Sequence, residues 1–514
     1  MQRKQLTLVI VSLLVVVLSV SLAWFTTQII GKGKNLNVSS ANLQIVFTDS
    51  DGALTETDIE PGWSATKTFT IKNDTKTEYK YNIVIKDLLN TFVTEGYLQY
   101  KITSTNNGYN MTEFKDIPKS SIATDTILAY SVVISNGVTQ SYTIEFKYAN
   151  DESVDQSDDM GKKLSGTLFI TEGTEPTLLT QLLADKSTVL TRTDFSTVLT
   201  NDNTNTLYTS TEDSKTVYYF AGNATDNWVK FGKNASNQDL YWRIIRTNSE
   251  GSIRLLYHGT STTATDAYIG KSAFNETYDD PMYVGYMYGT SGSLVNNRTN
   301  TTNSTIKGVI DTWYKNNLNT NYGKYISTTA VYCNDRSNPA GGYNTGKTSF
   351  NYGARTRLDT YKTPTYDCTD TNDKFTVDTS TGNGKLTYPI ALMTADEVSF
   401  AGGLYANYNA NAWYFRNAKE GTLTTSSSST DASYSSTGST YWWLLSPFYW
   451  FGSSARASVF YVGGSSLPGF LGDYFVDGTR GVRPAVSLKS CVKTSGGDGS
   501  AGTPYTIEES TSGC

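Results

Sequence analysis

Few residues of this chain have the types and spacing needed for covalent chemistry. Its 514 residues include one histidine, His258, so a multi-histidine metal site is not expected. His258 follows Leu255-Leu256-Tyr257, the end of an apolar run, where a structural histidine is the plainer expectation. The chain has no Gly-x-Ser-x-Gly elbow, no phosphate-binding Gly-rich loop with Lys-Ser/Thr, and no His-Glu-x-x-His. Cys333, Cys368, Cys491 and Cys514 form no Cys-x-x-Cys pair, so neither a zinc site nor a thioredoxin-type motif is expected. Adjacent acids such as Asp279-Asp280 read as solvated loop, although counting acids does not decide against a glycosidase. The expectation is a protein that is not an enzyme and needs no cofactor and no metal.

The remaining chemistry is recognition. Tyr441-Trp442-Trp443-Leu444-Leu445-Ser446-Pro447 and Gly481-Val482-Arg483-Pro484-Ala485-Val486 read as framework, with Arg483 structural. Between them stand Phe448, Tyr449, Trp450, Phe451, Ser453, Ser454, Arg456, Ser458, Phe460, Tyr461, Phe470, Asp473, Tyr474, Phe475, Asp477, Thr479 and Arg480. Aromatic rings give large, rigid contact area at low entropic cost, and small polar residues give adaptable hydrogen bonds. These residues are the expected ligand-binding set. Four successive aromatics on a strand cannot all face inward, because alternate side chains point to opposite faces.

Composition sets the surroundings. Charged residues make up 18%, Tyr occurs 36 times, and the net charge is −6. That balance offers no attraction for phosphate backbones, so no nucleic-acid partner is expected. Arg3 and Lys4 precede an uncharged apolar run from Leu6 to Phe25. At 1.5 Å per residue such a run spans about 30 Å, the hydrocarbon thickness of a bilayer. Residues 1–28 are therefore expected to be a signal peptide or an uncleaved membrane anchor, and either places the rest of the chain outside the cytoplasm. Export favours disulfides; the nearest pairs are Cys333 with Cys368 and Cys491 with Cys514, but four cysteines allow three connectivities and sequence does not choose.

The elements that position these residues follow from periodicity. Over 35–172 an all-β sandwich is expected. Tyr79, Tyr81, Ile83 and Ile85 alternate with polar neighbours, as do Leu128, Tyr130, Val132 and Ile134, and Tyr142, Ile144, Phe146 and Tyr148. Asn136-Gly137 predicts a hairpin between two of these runs. Residues 173–216 read as a linker with a short amphipathic helix near Thr177–Leu183. A ligand-binding α+β domain is expected over 217–490. In it, strands meet at a Glu250-Gly251 turn, a helix runs through Ile306, Ile310 and Tyr314, and a second helix opens with a Thr394…Glu397 capping box. The Ser/Thr run 424–440 reads as loop, and 491–514 as a C-terminal tail.

Two resemblances add to this reading. The leader ending in Ala23-Trp24-Phe25-Thr26, with Glu60-Pro61-Gly62-Trp63 running into Phe69-Thr70-Ile71-Lys72-Asn73, resembles the biofilm-matrix fibre proteins and camelysins of Gram-positive bacteria. That resemblance implies an exported sandwich. The order Trp242-Arg243-Ile244-Ile245, Ala391–Val398, Tyr441–Pro447, Gly481–Val486 resembles bacterial surface domains with a C-type-lectin-like fold, related to formylglycine-generating-enzyme domains. Some of those domains are targets of diversity-generating retroelements, in which adenine-directed mutagenesis replaces chiefly Asn-type codons in one C-terminal window. Asn is absent from Tyr441 to Leu488 in an otherwise Asn-rich chain, which fits such replacement. Neither calcium-lectin signature, Glu-Pro-Asn or Trp-Asn-Asp, is present.

The expected function is a surface-displayed receptor or adhesin, membrane-anchored or secreted, with a variable binding site at 448–480. Its partner is a protein or glycan on another cell, phage or host surface, with the membrane a further partner if the leader stays uncleaved. The alternative is a structural subunit of a fibre or matrix, and the third reading is a wall-active hydrolase.

Overall fold

A computed structural model of the chain describes residues 27–30, 36–40, 43–49 and 53–56 as strands without their side chains. It describes residues 59–94, 96–186, 188–199, 205–264, 267–410, 412, 441–463, 469–510 and 514 in full. The expected leader at 1–28 lies almost wholly outside the described residues, as does the Ser/Thr run at 424–440. Among the described residues no helix is long and apolar enough to cross a membrane. The fold is strand-rich and divides into two compact units, Met1–Glu175 and Pro176–Cys514.

Among the described residues the first unit has two sheets. One holds Ala53–Glu56, Thr27–Ile30, Leu164–Glu172, Tyr79–Asn90 and Ser120–Ile134 in that order. The other holds Leu36–Ser40, Leu43–Asp49, Ser64–Asn73, Thr139–Tyr148, Leu98–Ser104 and Lys115–Asp116. Alternate residues of both sheets fill one core, with Phe69, Ile71, Tyr142 and Ile144 meeting Tyr81, Ile83, Leu168 and Ile170. The Glu60-Pro61-Gly62-Trp63 segment is a tight turn. Trp63 N–H donates to the Glu60 carbonyl at 2.9 Å, and Gly62 takes φ +95°, which a side chain would oppose.

The Asn136-Gly137 turn is not the expected hairpin. The strands it joins, Ser120–Ile134 and Thr139–Tyr148, belong to different sheets, so the turn is an arch between layers. Left-handed Gly137 (φ +70°) suits either connection, and the sheets' shared core decides between them.

Among the described residues the second unit also rests on two main sheets around a large core, with a smaller cluster of Tyr208, Val217, Tyr219, Tyr366 and Phe400 beside it. The larger carries Trp228–Lys233, Asp239–Thr247, Ile253–Tyr257, Pro484–Leu488 and Ile390–Leu392. Gly251 (φ +88°) makes the expected turn, donating to the Asn248 carbonyl at 2.9 Å. The smaller sheet runs Lys271–Ser272, Arg480–Gly481, Trp442–Phe451, Arg456–Val462, Phe470–Phe475, Leu404–Tyr405, with Phe350–Asn351 also paired to Trp442–Phe451.

Both expected helices form. Helix Thr305–Asn317 is capped by Ser304 and buries Ile306, Ile310 and Tyr314. Helix Ala395–Phe400 is closed by the complete Thr394/Glu397 capping box and is buried throughout.

Residues 173–216 are not a free linker. Helix Leu178–Asp185 buries Leu178 and Leu182 in the second unit's core, and Thr206–Glu212 pairs with Lys215–Tyr219 in its larger sheet. The segment after 490 is likewise no loose tail. Thr494–Gly496 and Tyr505–Ile507 extend the same sheet, and Tyr505–Ile507 lies parallel to Trp228–Lys233. The disulfides are Cys333–Cys368 and Cys491–Cys514, the nearest-neighbour pairing.

Candidate functional site

The strand Trp442–Phe451 places most of the expected binding residues. It carries Pro447, which has no N–H to give a ladder, and pairing with Arg456–Val462 shifts register on both sides of it. Beyond that break the strand alternates: Phe448 and Trp450 are buried, Tyr449 and Phe451 half-buried. Gly452 opens the following turn, and a Cβ there would collide with the Lys347 carbonyl, so the loop passes closely only with glycine. Ser453 and Ser454 stand exposed at the tip.

Cross-strand register sorts the rest into two faces. On the first, Tyr449 pairs with Ser458 and Ser458 with Phe475, while Phe460 pairs with Asp473. Tyr449 and Phe451 lie edge to face at 4.5 Å, and Phe451 meets Phe475 at 5.3 Å. Arg355 lies 4.5 Å over the Phe448 ring and 4.4 Å over that of Tyr449. Arg456 lies 4.2 Å over Phe475 and 4.7 Å over exposed Tyr278, and pairs with Asp477 at 2.7 Å. These arginines hold the rings as flat, charged plates.

Asp473 sits among them. Burial pushes its carboxyl up to about 6, against the opposing pull of the Ser458 hydroxyl and of Arg355. The Arg355 Nε is buried without a hydrogen-bond partner, while an Asp359 oxygen lies 3.7 Å away.

The second face carries Tyr461 opposite Gly472, and Tyr474. Arg480 lies 3.9 Å over the Tyr474 ring, Tyr441 stacks on Tyr461 at 5.1 Å, and Tyr408 stacks on Phe470 at 4.9 Å. Thr479 is exposed beside them.

Five of the expected contact residues are therefore corrected. Phe448, Trp450, Ser458, Phe460 and Phe470 are buried and form the body of the sheet rather than its accessible surface. Phe448 packs on Phe460 at 4.9 Å, and Trp450 Nε1 donates to the Gly346 carbonyl at 3.0 Å. The accessible set is Tyr449, Phe451, Ser453, Ser454, Arg456, Tyr461, Asp473, Tyr474, Phe475, Asp477, Thr479 and Arg480. Sequence reasoning missed Arg355, Tyr278 and Tyr405, which the topology brings in from outside the window. Arg355 arrives through the pairing of Phe350–Asn351 with Trp450 and Tyr449.

Several titratable groups outside this sheet are spent on structure. His258 is fully buried, edge-on to Trp228 at 4.5 Å. Burial, with Arg483 and Arg243 close by, holds its imidazole well below the usual range and neutral. Arg483 donates to the Tyr257 carbonyl at 3.0 Å and lies over the Trp442 ring, a framework role as expected. Asp280 is not a solvated loop acid: it caps the turn Pro281–Val284, accepting from Met282 N–H at 2.8 Å.

A buried ionic cluster joins Glu397 to Arg246 (2.9 Å) and Arg254 (2.7 Å), and Arg246 to Glu212 (2.8 Å). Arg357 bridges Asp335 and Asp396 beside it. Burial alone would raise Glu397; Arg254 and Arg246 outweigh it and hold the carboxyl below its ordinary value. Among the described residues no group of three or more His, Cys, Asp or Glu could hold a metal.

No curated protein matches the chain. Among solved structures, a family 123 glycoside hydrolase from Clostridium perfringens aligns at 10% identity with a TM-score of 0.11, over 26% of this chain and 24% of that one. Residues 363–490, which include the Trp442–Phe451, Arg456–Val462 and Phe470–Phe475 strands, are similar to a family described as a domain of unknown function, DUF6273.

Proposed function

We propose that the chain is an extracytoplasmic, surface-displayed receptor or adhesin. Its second unit is a lectin-like module that binds a protein or glycan ligand on the sheet containing Trp442–Phe451. The observation that carries this reading is the first face of that sheet. Half-exposed Tyr449, Phe451 and Phe475 are braced by Arg355 and Arg456, with Asp473 and Asp477 between them. Rigid aromatic area with adaptable polar groups is the chemistry of a paratope. The two disulfides suit an oxidising compartment, and the apolar leader suits export. The first unit, with two sheets on one core, suits an exported sandwich. The missing Asn of the window suits a diversified surface on a fixed scaffold.

Arrays of glycans and extracellular proteins, probed with the purified chain, test this. The double variant Tyr449→Ala, Phe451→Ala is expected to lose binding while keeping its unfolding midpoint within about 5 °C, because both rings are partly exposed. Phe448→Ala, by contrast, removes a core ring and is expected to cost about 3–5 kcal/mol in urea unfolding. Undiminished array binding by the double variant, or no binding by the unaltered chain, would count against the reading.

A further inference from the structure

We infer that a cleft at the terminal strand of the same sheet, lined by Lys362, Tyr405, Asn407, Tyr408 and Asn409, binds a saccharide that bears a carboxylate. The inference deepens the reading of the second unit as a ligand-binding module and rests on it. The cleft lies outside the 448–480 window, at strand Leu404–Tyr405, which pairs in parallel with Phe470–Leu471. Its volume is about 390 Å3, within the range of small-molecule sites.

Tyr408, Asn407 and Tyr405 each present a group to the cleft. Tyr408 is 64% exposed, yet its ring is backed by Phe470 at 4.9 Å and 25°. A ring fixed from behind and open in front presents its electron-rich face to the C–H edge of a sugar. The Asn407 carboxamide oxygen accepts from Asn409 N–H at 2.9 Å, which leaves its Nδ2 hydrogens for an incoming oxygen. Tyr405 stands at the inner wall, tilted on Phe448 at 5.3 Å. Burial pushes its phenol up to about 12, aided by Asp473, so it stays a hydrogen-bond donor.

Charge selects the ligand. Lys362 is half-buried, and no salt bridge pairs its ammonium with a described carboxylate. Among the described residues no carboxylate lines the cleft. Of the acids nearby, Asp359 faces Arg355 at 3.7 Å, Asp473 faces Arg355 and Ser458 while also acting on Tyr405, and Asp194 accepts from Ser196 and Thr197. Among the described residues that line the cleft, Lys362 is the charged group, with amide and phenol donors beside it.

The backbone points the same way. Lys362 (φ +54°) and Ala406 (φ +54°) both occupy the left-handed region that disfavours side chains, and both line this one cleft. Such conformations gather at ligand clamps. Lys362 also ends the π-helical turn Thr356–Tyr361, a feature frequent at functional sites.

Titration calorimetry on the full chain decides the matter, with 3′-sialyllactose and a hyaluronan tetrasaccharide as acidic probes and lactose as the neutral control. At least one acidic probe is expected to bind with Kd below about 1 mM, and lactose about tenfold more weakly. Lys362→Gln and Tyr408→Ala should each weaken the acidic probe about tenfold, and Lys362→Arg should keep binding within about threefold. Thermal melting checks that each variant stays folded. Failure of both acidic probes to bind, equal binding of lactose, or binding untouched by both Lys362→Gln and Tyr408→Ala overturns the inference. The Tyr449→Ala, Phe451→Ala variant separates the two readings. If it loses array binding while neither acidic probe binds the unaltered chain, the aromatic face stands and the cleft falls. If array binding survives in it while Lys362 controls acidic binding, the cleft stands and the face falls.

Discussion

Asp473 shows how finely the sheet sets the state of one residue. Burial raises its carboxyl to about 6, so between roughly pH 4 and 6 the folded chain holds a proton that the unfolded chain has released. A raised acid therefore favours the fold at low pH, and that contribution is lost as pH rises through 6. Asp473→Asn should flatten the fall in stability over this window and leave the variant more stable than the unaltered chain at pH 7. Urea unfolding at a series of pH values checks this, and parallel profiles for the two proteins would contradict it. At this scale the sequence was half legible. That four successive aromatics could not share one side followed from strand geometry; which of them turned inward depended on the register break at Pro447, which period-2 reasoning does not supply. Arg355 was out of reach, because only a long-range strand pairing brings it to the rings.

Among elements, helix Ala395–Phe400 carries the most consequence for its length. Its capping box was readable from Thr394 and Glu397 alone. The second role of Glu397 was not, because Arg246 and Arg254 come from strands, 151 and 143 residues earlier in the chain. Glu397→Gln leaves both guanidinium groups buried at 3% exposure or less, with one carboxylate removed. Breaking a buried pair in this way costs about 3–5 kcal/mol, and chemical unfolding should register a loss of that order. A loss under about 1 kcal/mol would mean that the remaining partners, Glu212 and backbone carbonyls, suffice. The same limit of local signals explains the arch at Asn136-Gly137: a turn sequence specifies a reversal, not the sheet that receives the next strand. It also explains residues 173–216 and 491–514, whose polar composition concealed strands that complete a distant sheet.

At the scale of the molecule, the two units have separate cores, with no core cluster shared between the first 175 residues and the rest among the described residues. Each is large enough to unfold cooperatively by itself. Calorimetry of the full chain should show two transitions, and a chain of residues 176–514 should reproduce one of them within about 3 °C. A single transition that the shorter chain fails to reproduce would contradict independent folding. The β-rich character and the boundary near 172–175 were legible from strand periodicity and from the switch to a helical pattern after it.

The place of Tyr505–Ile507 beside Trp228–Lys233 has a consequence in time. Val229 leaves the ribosome long before Tyr505, its neighbour in the finished sheet. For that interval one side of an early strand lacks the partner it has in the finished sheet. The larger sheet of the second unit is therefore completed only once Thr494–Gly496 and Tyr505–Ile507 have been made.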